Sequence, residues 1–156
     1  GLCGVVARGD RVLALVGMPH HPRCATIDDL LGEVESKGIA FLESLGGPFV
    51  GILQVGGTRH IFRDKAGRRT LYHLPLRGCH YFAIESRALH TLPDYTPEIL
   101  ASSVAQYLSF SFVPGENTML RGIREVPAGC YLKAPFDQPV RYFQPEQLEP
   151  GRPELD

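Results

Sequence analysis

The sequence contains no tryptophan and a single asparagine, Asn117, in 156 residues. It holds only four cysteines, Cys3, Cys24, Cys79 and Cys130, with no close pair among them. That excludes a CxxC zinc site and is too sparse for a disulfide-stapled secreted scaffold, so a reducing, cytoplasmic setting is expected. No apolar run approaches the roughly 20 residues a membrane helix needs. The longest, Val12 to Val16 and Phe49 to Val55, are strand-sized, and no basic-then-apolar leader is visible. Neither sign of charge dominates: 16 Lys+Arg oppose 17 Asp+Glu, for a formal net charge of -1. A generic nucleic-acid footprint is thereby excluded. Gly46-Gly47 and Gly56-Gly57 lack a phosphate-loop pattern, and no Ser-Gly-Gly-x-Asp-Ser run occurs. No cofactor and no metal are expected in this chain.

What is present is ordinary globular material, 44% hydrophobic and 21% charged. The length fits one domain. Leu2 to Val6 and Val12 to Val16 read as strands around an Arg8-Gly9-Asp10-Arg11 turn. Thr26 is placed to cap a helix carrying Leu30, Leu31 and Val34 on one face, with Asp28 and Asp29 at its positive end and Lys37-Gly38 as its stop. A second short helix is expected over Ile39 to Leu45. Four short strands follow, Phe49 to Val55, Arg59 to Arg63, Arg69 to Leu74 and His80 to Ile84, then a brief helical turn, Glu85 to Leu89. Pro97 fits the first turn of a helix running to Phe110, with Ile99, Leu100, Val104, Tyr107 and Leu108 as its buried stripe. Cys130 to Lys133 and Val140 to Phe143 read as a last strand pair. The order predicts an α+β domain with helices on antiparallel sheets over residues 1–143, and 144–156 as a linker or tail. Phe49, Ile52, Leu71, Tyr72, Phe82 and Ile84 are expected to face inward from strands, and Leu31, Val34, Leu100, Val104 and Leu108 from helices.

Several stretches then form an ordered set. The first is Cys3-Gly4-Val5-Val6. The second is Leu45-Gly46-Gly47-Pro48-Phe49-Val50-Gly51, followed by Arg63-Asp64-Lys65-Ala66-Gly67-Arg68-Arg69-Thr70-Leu71-Tyr72 and Phe82-Ala83-Ile84-Glu85-Ser86-Arg87-Ala88-Leu89. The third is Thr118-Met119-Leu120-Arg121-Gly122-Ile123 with Val126-Pro127-Ala128-Gly129, and Tyr142-Phe143 closes the set. Together they resemble the N-terminal, glutaminase-type domain of the asparagine synthetase family, a class II glutamine amidotransferase of the N-terminal-nucleophile type. The resemblance covers roughly residues 26 to 143. It implies a four-layer αββα sandwich and marks Arg63, Asp64, Gly67, Leu71, Tyr72, Glu85, Gly122, Pro127 and Gly129 as motif positions.

The resemblance also implies a chemistry. An N-terminal Cys thiolate attacks the glutamine side-chain amide, and its own α-amino group moves the proton. Backbone and Asn donors hold the oxyanion, and an Arg and an Asn-Gly-Glu loop hold the glutamine. Ammonia then passes to a synthetase domain, where ATP and Mg are expected. Here Cys3 is the only candidate nucleophile, and Gly1 and Leu2 precede it. The segment from Gly4 to Thr26 is shorter than in a glutaminase-competent relative, no Asn precedes Asn117, and Thr26-Ile27-Asp28-Asp29 gives no clean match to the family's Ser-Asp-Thr-Glu. This compact outline resembles the shortened form at the front of lasso-peptide macrolactam synthetases. There the attacking nitrogen is a peptide amine, and a glutaminase is unnecessary.

Three readings therefore stand side by side. One is a degenerate domain that packs against an ATP-binding synthetase half, fused or separate, and meets a peptide or amino-acid substrate through it. Another is an active glutaminase that uses Cys3 once its amine is freed. The third is an independent binding module on the same fold. Self-association is expected if the synthetase half is missing. Cys3 could equally be a buried small residue at a strand start. Arg63-Asp64 and Arg68-Arg69 read as a structural ion pair and a solvated turn. His20, His21 and Cys24 read as a surface loop without a fourth ligand. His60, His73, His80 and His90 form no constellation legible from spacing.

Overall fold

The computed structural model describes residues 2–144. Among the described residues, nine strands and three helices follow in order: β1 Gly4–Arg8, β2 Arg11–Gly17, α1 Ile27–Lys37, β3 Phe49–Val55, β4 Thr58–Arg63, β5 Tyr72–Leu76, β6 Cys79–Ala83, α2 Ser86–His90, α3 Ala101–Phe110, β7 Arg124–Glu125, β8 Cys130–Lys133 and β9 Pro139–Arg141. A 3₁₀ helix, Gly38–Ser44, occupies the expected second short helix. All ladders are antiparallel. One sheet has the order β1-β2-β3-β4-β8-β9 and the other the order β6-β5-β7.

Alternation along the strands sorts the core into three clusters, and these are the three interfaces of a four-layer αββα arrangement. Leu13, Leu15, Phe49, Leu53 and Phe62 on one face of the large sheet meet Leu30, Leu31 and Val34 of α1 and Phe41, Leu42 and Leu45 of the 3₁₀ segment. The opposite face supplies Val50, Ile61, Cys130 and Leu132, which pack with Leu71, Val126, Phe136 and Phe82 between the sheets. Beyond the small sheet, Leu74, Leu89 and Ile123 form a third cluster with Tyr72, Leu76 and Ala83. The first interface is the largest. Each fully buried Leu or Phe there contributes about 1.5–3 kcal/mol by removal from water. Phe62 stands edge-on to both Phe41 and Phe49, with ring centroids 5.9 and 6.1 Å away.

The Thr26 cap forms as the sequence implies. Its hydroxyl accepts from Asp29 N at 3.1 Å, and the Asp29 carboxylate accepts from Thr26 N at 2.9 Å.

Several expectations are corrected. The last helix begins at Ala101, not Pro97. Before it, Ile99 bridges Leu120, Leu100 N donates to Met119 O, and Glu98 pairs with Arg121. These contacts hold 98–100 extended alongside 119–121. Its expected stripe is not buried: Ile99, Tyr107 and Leu108 are exposed, Leu100 and Val104 are intermediate, and only Ser103 is buried in α3. Ile52 and Ile84 are exposed as well, and Tyr72 and Phe82 are intermediate. Ile52 lies in the row Val5, Ala14, Ile52, Ile61, Leu132 across the large sheet. A three-stranded sheet cannot cover a six-stranded one, so Val5 and Ile52 are 72% and 41% exposed while Ile61, nearer the covered end of the row, is 4% exposed. The first strand runs from Gly4 to Arg8 rather than from Leu2 to Val6, and the fifth is shifted to Tyr72–Leu76, leaving Leu71 buried just before it. The last strand ends at Arg141, short of Phe143. Apart from Gln144, the expected tail lies outside the described residues.

Candidate active site

The motif positions after β4 converge on a buried hub. Arg63, 6% exposed, sends Nη1 to Val126 O and Nη2 to Gly67 O, both at 2.7 Å, and Nε to Arg69 O. Its charge is met by Glu125, Nη1 to Oε1 at 2.7 Å. Asp64 is fully buried and accepts from the backbone N–H groups of Ala66, Arg68 and Arg69 at 3.0–3.1 Å. The expected Arg63–Asp64 ion pair is therefore corrected. The two neighbours point to different partners, and a buried carboxylate holds a turn whose Ala66, Arg68 and Thr70 are exposed. A charged carboxylate satisfied by three N–H donors needs no counter-ion beside it.

Two glycines make this close approach feasible. Gly67, at φ +63°, would place a Cβ 2.9 Å from the Ala128 Cβ, and Gly129, at φ +65°, would place one 2.9 Å from Phe143 O. Gly129 N donates to Asp64 O, and its carbonyl accepts from Tyr142 N and Phe143 N. Tyr142 OH donates to Arg63 O at 2.7 Å, and burial pushes that phenol strongly upward. Leu71 is buried against the same region. Tyr72 is half-buried with its phenol pushed up, first by burial and then by Glu125. Glu85 is exposed just before α2, with no side-chain capping bond. Gly122 takes φ +82° beside Leu74.

Cys3 lies apart from this hub. It is exposed, contrary to the buried alternative, and its thiol donates to Leu15 O at 3.3 Å. Its nitrogen is joined to Leu2, which is 7% exposed and belongs to the first core cluster. Freeing the Cys3 amine would remove a core leucine, a change on the order of 2–5 kcal/mol even as truncation to Ala. A roughly 960 Å³ cavity beside the hub is lined by Arg63, Tyr72, His90, Tyr107, Phe112 and Asn117, among others, but not by Cys3. The one asparagine is thus not gathered into a pocket with the one candidate nucleophile. A smaller trough at the edge between the sheets is apolar, lined by Val16, Ile52, Phe82 and Ile84 among others.

Two histidine arrangements were not legible from spacing. His73 and His80 stack at 5.1 Å with Nε2 and Nδ1 2.8 Å apart, beside a roughly 150 Å³ cavity between the sheets. Burial, helped by His80 and Arg124, lowers His73 to about 4. His21 is buried rather than on a surface loop, and donor atoms of His21, Cys24 and Glu33 lie within 4.8 Å of one another. In this arrangement two of the three have other partners. His21 Nδ1 accepts from Arg23 N and Cys24 N, which spends the neutral ring's one lone pair and leaves the proton on Nε2. Glu33 is already paired with Lys37 at 2.7 Å. Burial, ahead of Glu33, keeps the Cys24 thiol above its ordinary range.

The described fold is a small α+β sandwich of the N-terminal-nucleophile type, and comparison with known proteins gives its family. Residues 25–142 match the family model described as "Glutamine amidotransferase domain". Over 117 residues, 69% of this chain, it is 32% identical to proteins of Mycobacterium bovis and Mycobacterium tuberculosis named "Putative asparagine synthetase (glutamine-hydrolyzing)". The chain belongs to the glutamine amidotransferase domain family, in the form related to asparagine synthetases. The match spans only 18% of those relatives' length. The family match begins at residue 25, after Cys3 and the β1–β2 hairpin.

Proposed function

We propose that this chain is the amidotransferase-type N-terminal domain of an asparagine-synthetase-like, ATP-dependent amide-forming ligase, and that it acts as structural partner of the synthetase half without releasing ammonia itself. The observation that carries the reading is the packing of Leu2 in the core. It opposes freeing the Cys3 nitrogen as the α-amino base that the family's chemistry requires, and the thiol donates to a carbonyl. The position of Asn117 in a cavity that Cys3 does not line supports it further. Losing one oxyanion donor alone typically costs about 10²–10³ in rate.

A ligase whose attacking nitrogen is a peptide amine, as in a lasso-peptide macrolactam synthetase, has no use for ammonia. The compact front end fits that role. ATP and Mg belong to the synthetase half in this reading. All four cysteines are free, as a cytoplasmic protein's would be, and among the described residues no helix is long and apolar enough to cross a membrane. The test is ammonia release from glutamine, measured on the protein and on Cys3→Ala. The expected result is no difference. Cys3-dependent turnover that saturates in glutamine would establish the active glutaminase instead.

A further inference from the structure

We infer that the exposed apolar face of α3 and the Phe110–Phe112 turn after it form the docking surface for the synthetase half, an assignment that rests on the functional reading above. No Asp, Glu, Lys, Arg or His lies between Glu98 and Glu116, in a chain that is 21% charged. Yet this stretch is largely exposed: Ile99 at 68%, Tyr107 at 47%, Leu108 at 79%, Phe110 at 59% and Phe112 at 60%. A ten-residue helix is marginal in water by its own propensity and is normally held by packing of an apolar face. With only Ser103 buried, α3 lacks that packing among the described residues. An exposed apolar patch of this kind marks an interaction surface.

The occupant follows from where the chain leads. Arg141, close to the end of the described residues, lines the same roughly 960 Å³ cavity as Tyr107, Ser111, Phe112 and Val113. The described chain therefore passes this face at Arg141, shortly before Tyr142 and Phe143 pack against Gly129 and Lys65. The matched relatives are much longer, with this chain spanning 18% of them. A domain joined after these residues, or docked as a separate chain in the same place, has α3 within the same cavity wall as Arg141. The second exposed face, Val5, Val16 and Ile52 on the large sheet, shares no lining residue with that cavity.

The test compares the chain alone with the chain joined to, or mixed with, the synthetase-type polypeptide encoded with it. Hydrogen exchange of residues 101–112 should slow at least about tenfold in the assembly, the loss of local opening that a buried helix shows. The double variant Leu108→Glu/Phe112→Glu should weaken association by about 30-fold, as loss of a hot-spot pair does. Its melting temperature as an isolated chain should not change, because both side chains are already exposed. Val5→Glu/Ile52→Glu should bind as the parent does. Association with α3 unprotected and the double variant unimpaired overturns this assignment and leaves the functional reading standing. No association of the parent chain with the synthetase polypeptide overturns the functional reading itself, and this assignment with it. Concentration-dependent protection of α3 in the chain alone makes a second copy the occupant and also overturns the assignment.

Discussion

The Arg63–Asp64 hub lies inside the segment that matches the family, Cys3 lies before it, and the two are finished to different degrees. At the hub every charged group has partners: three backbone carbonyls and Glu125 for the guanidinium, three backbone N–H groups for the carboxylate. At Cys3 an exposed thiol touches one carbonyl, and the residue before it is built into the core. The difference separates two things a family motif can record. The motif at 63–72 specifies a fold, because its side chains close a turn that holds two strand ends and the 126–129 segment together. The Cys-Gly start specifies a chemistry only when a free amine and substrate-gripping groups surround it.

The comparison breaks most readily at the hub. Arg63→Ala should cost about 3–5 kcal/mol by chemical denaturation, since it leaves buried carbonyls unpaired and Glu125 without its cation. A loss under about 1 kcal/mol would show that the hub is not what holds the turn. Phe62→Ala should fall in a similar range, about 3–5 kcal/mol, because the ring is fully buried between Phe41 and Phe49. Phe82→Ala should cost less than Phe62→Ala, because Phe82 is only half-buried. Asp64→Asn should lose about 2–3 kcal/mol, because an amide NH₂ would face a backbone donor where a carboxylate oxygen now accepts.

A smaller, pH-dependent effect sits at His73. Its folded value of about 4 lies below the unfolded 6.5, so the folded state prefers the neutral ring. Stability from this group is complete above about pH 6.5 and declines as pH falls toward 4, with a slope of at most about 1.4 kcal/mol per pH unit. His73→Gln should flatten that part of the stability–pH curve. At the other end of the scale, Cys3→Ala should change stability by less than about 0.5 kcal/mol, as for an ordinary surface site.

Much of this architecture is legible in the sequence because local chemistry decides it. Thr26 with Asp29 writes its own cap, and the alternation in Phe49 to Val55 sorts its side chains onto two faces before any partner is known. What was not legible depends on quantities no local pattern contains. Ile52 and Phe82 have the pattern of inward residues, but their burial depends on the small sheet being too narrow to cover the large one. The apolar spacing of α3 reads as a core stripe, and only the missing charges from Ile99 to Gly115 hint that its cover comes from elsewhere. His73 and His80 are brought together by the hairpin that pairs Pro75 with His80, a register that depends on the turn at Arg77-Gly78. His21 is buried and accepts from two backbone donors, which spacing does not reveal.

The central claim is that the fold is retained while the cysteine chemistry is not assembled. The most direct measurement is the rate at which a thiol-reactive glutamine analogue labels Cys3, set against a small general alkylating reagent and read by mass spectrometry. The account predicts labelling by the analogue that is linear in its concentration, unprotected by glutamine and no more selective for Cys3 than the general reagent. Saturable labelling confined to Cys3 and blocked by glutamine would mean that a glutamine site surrounds this thiol, and would contradict the account.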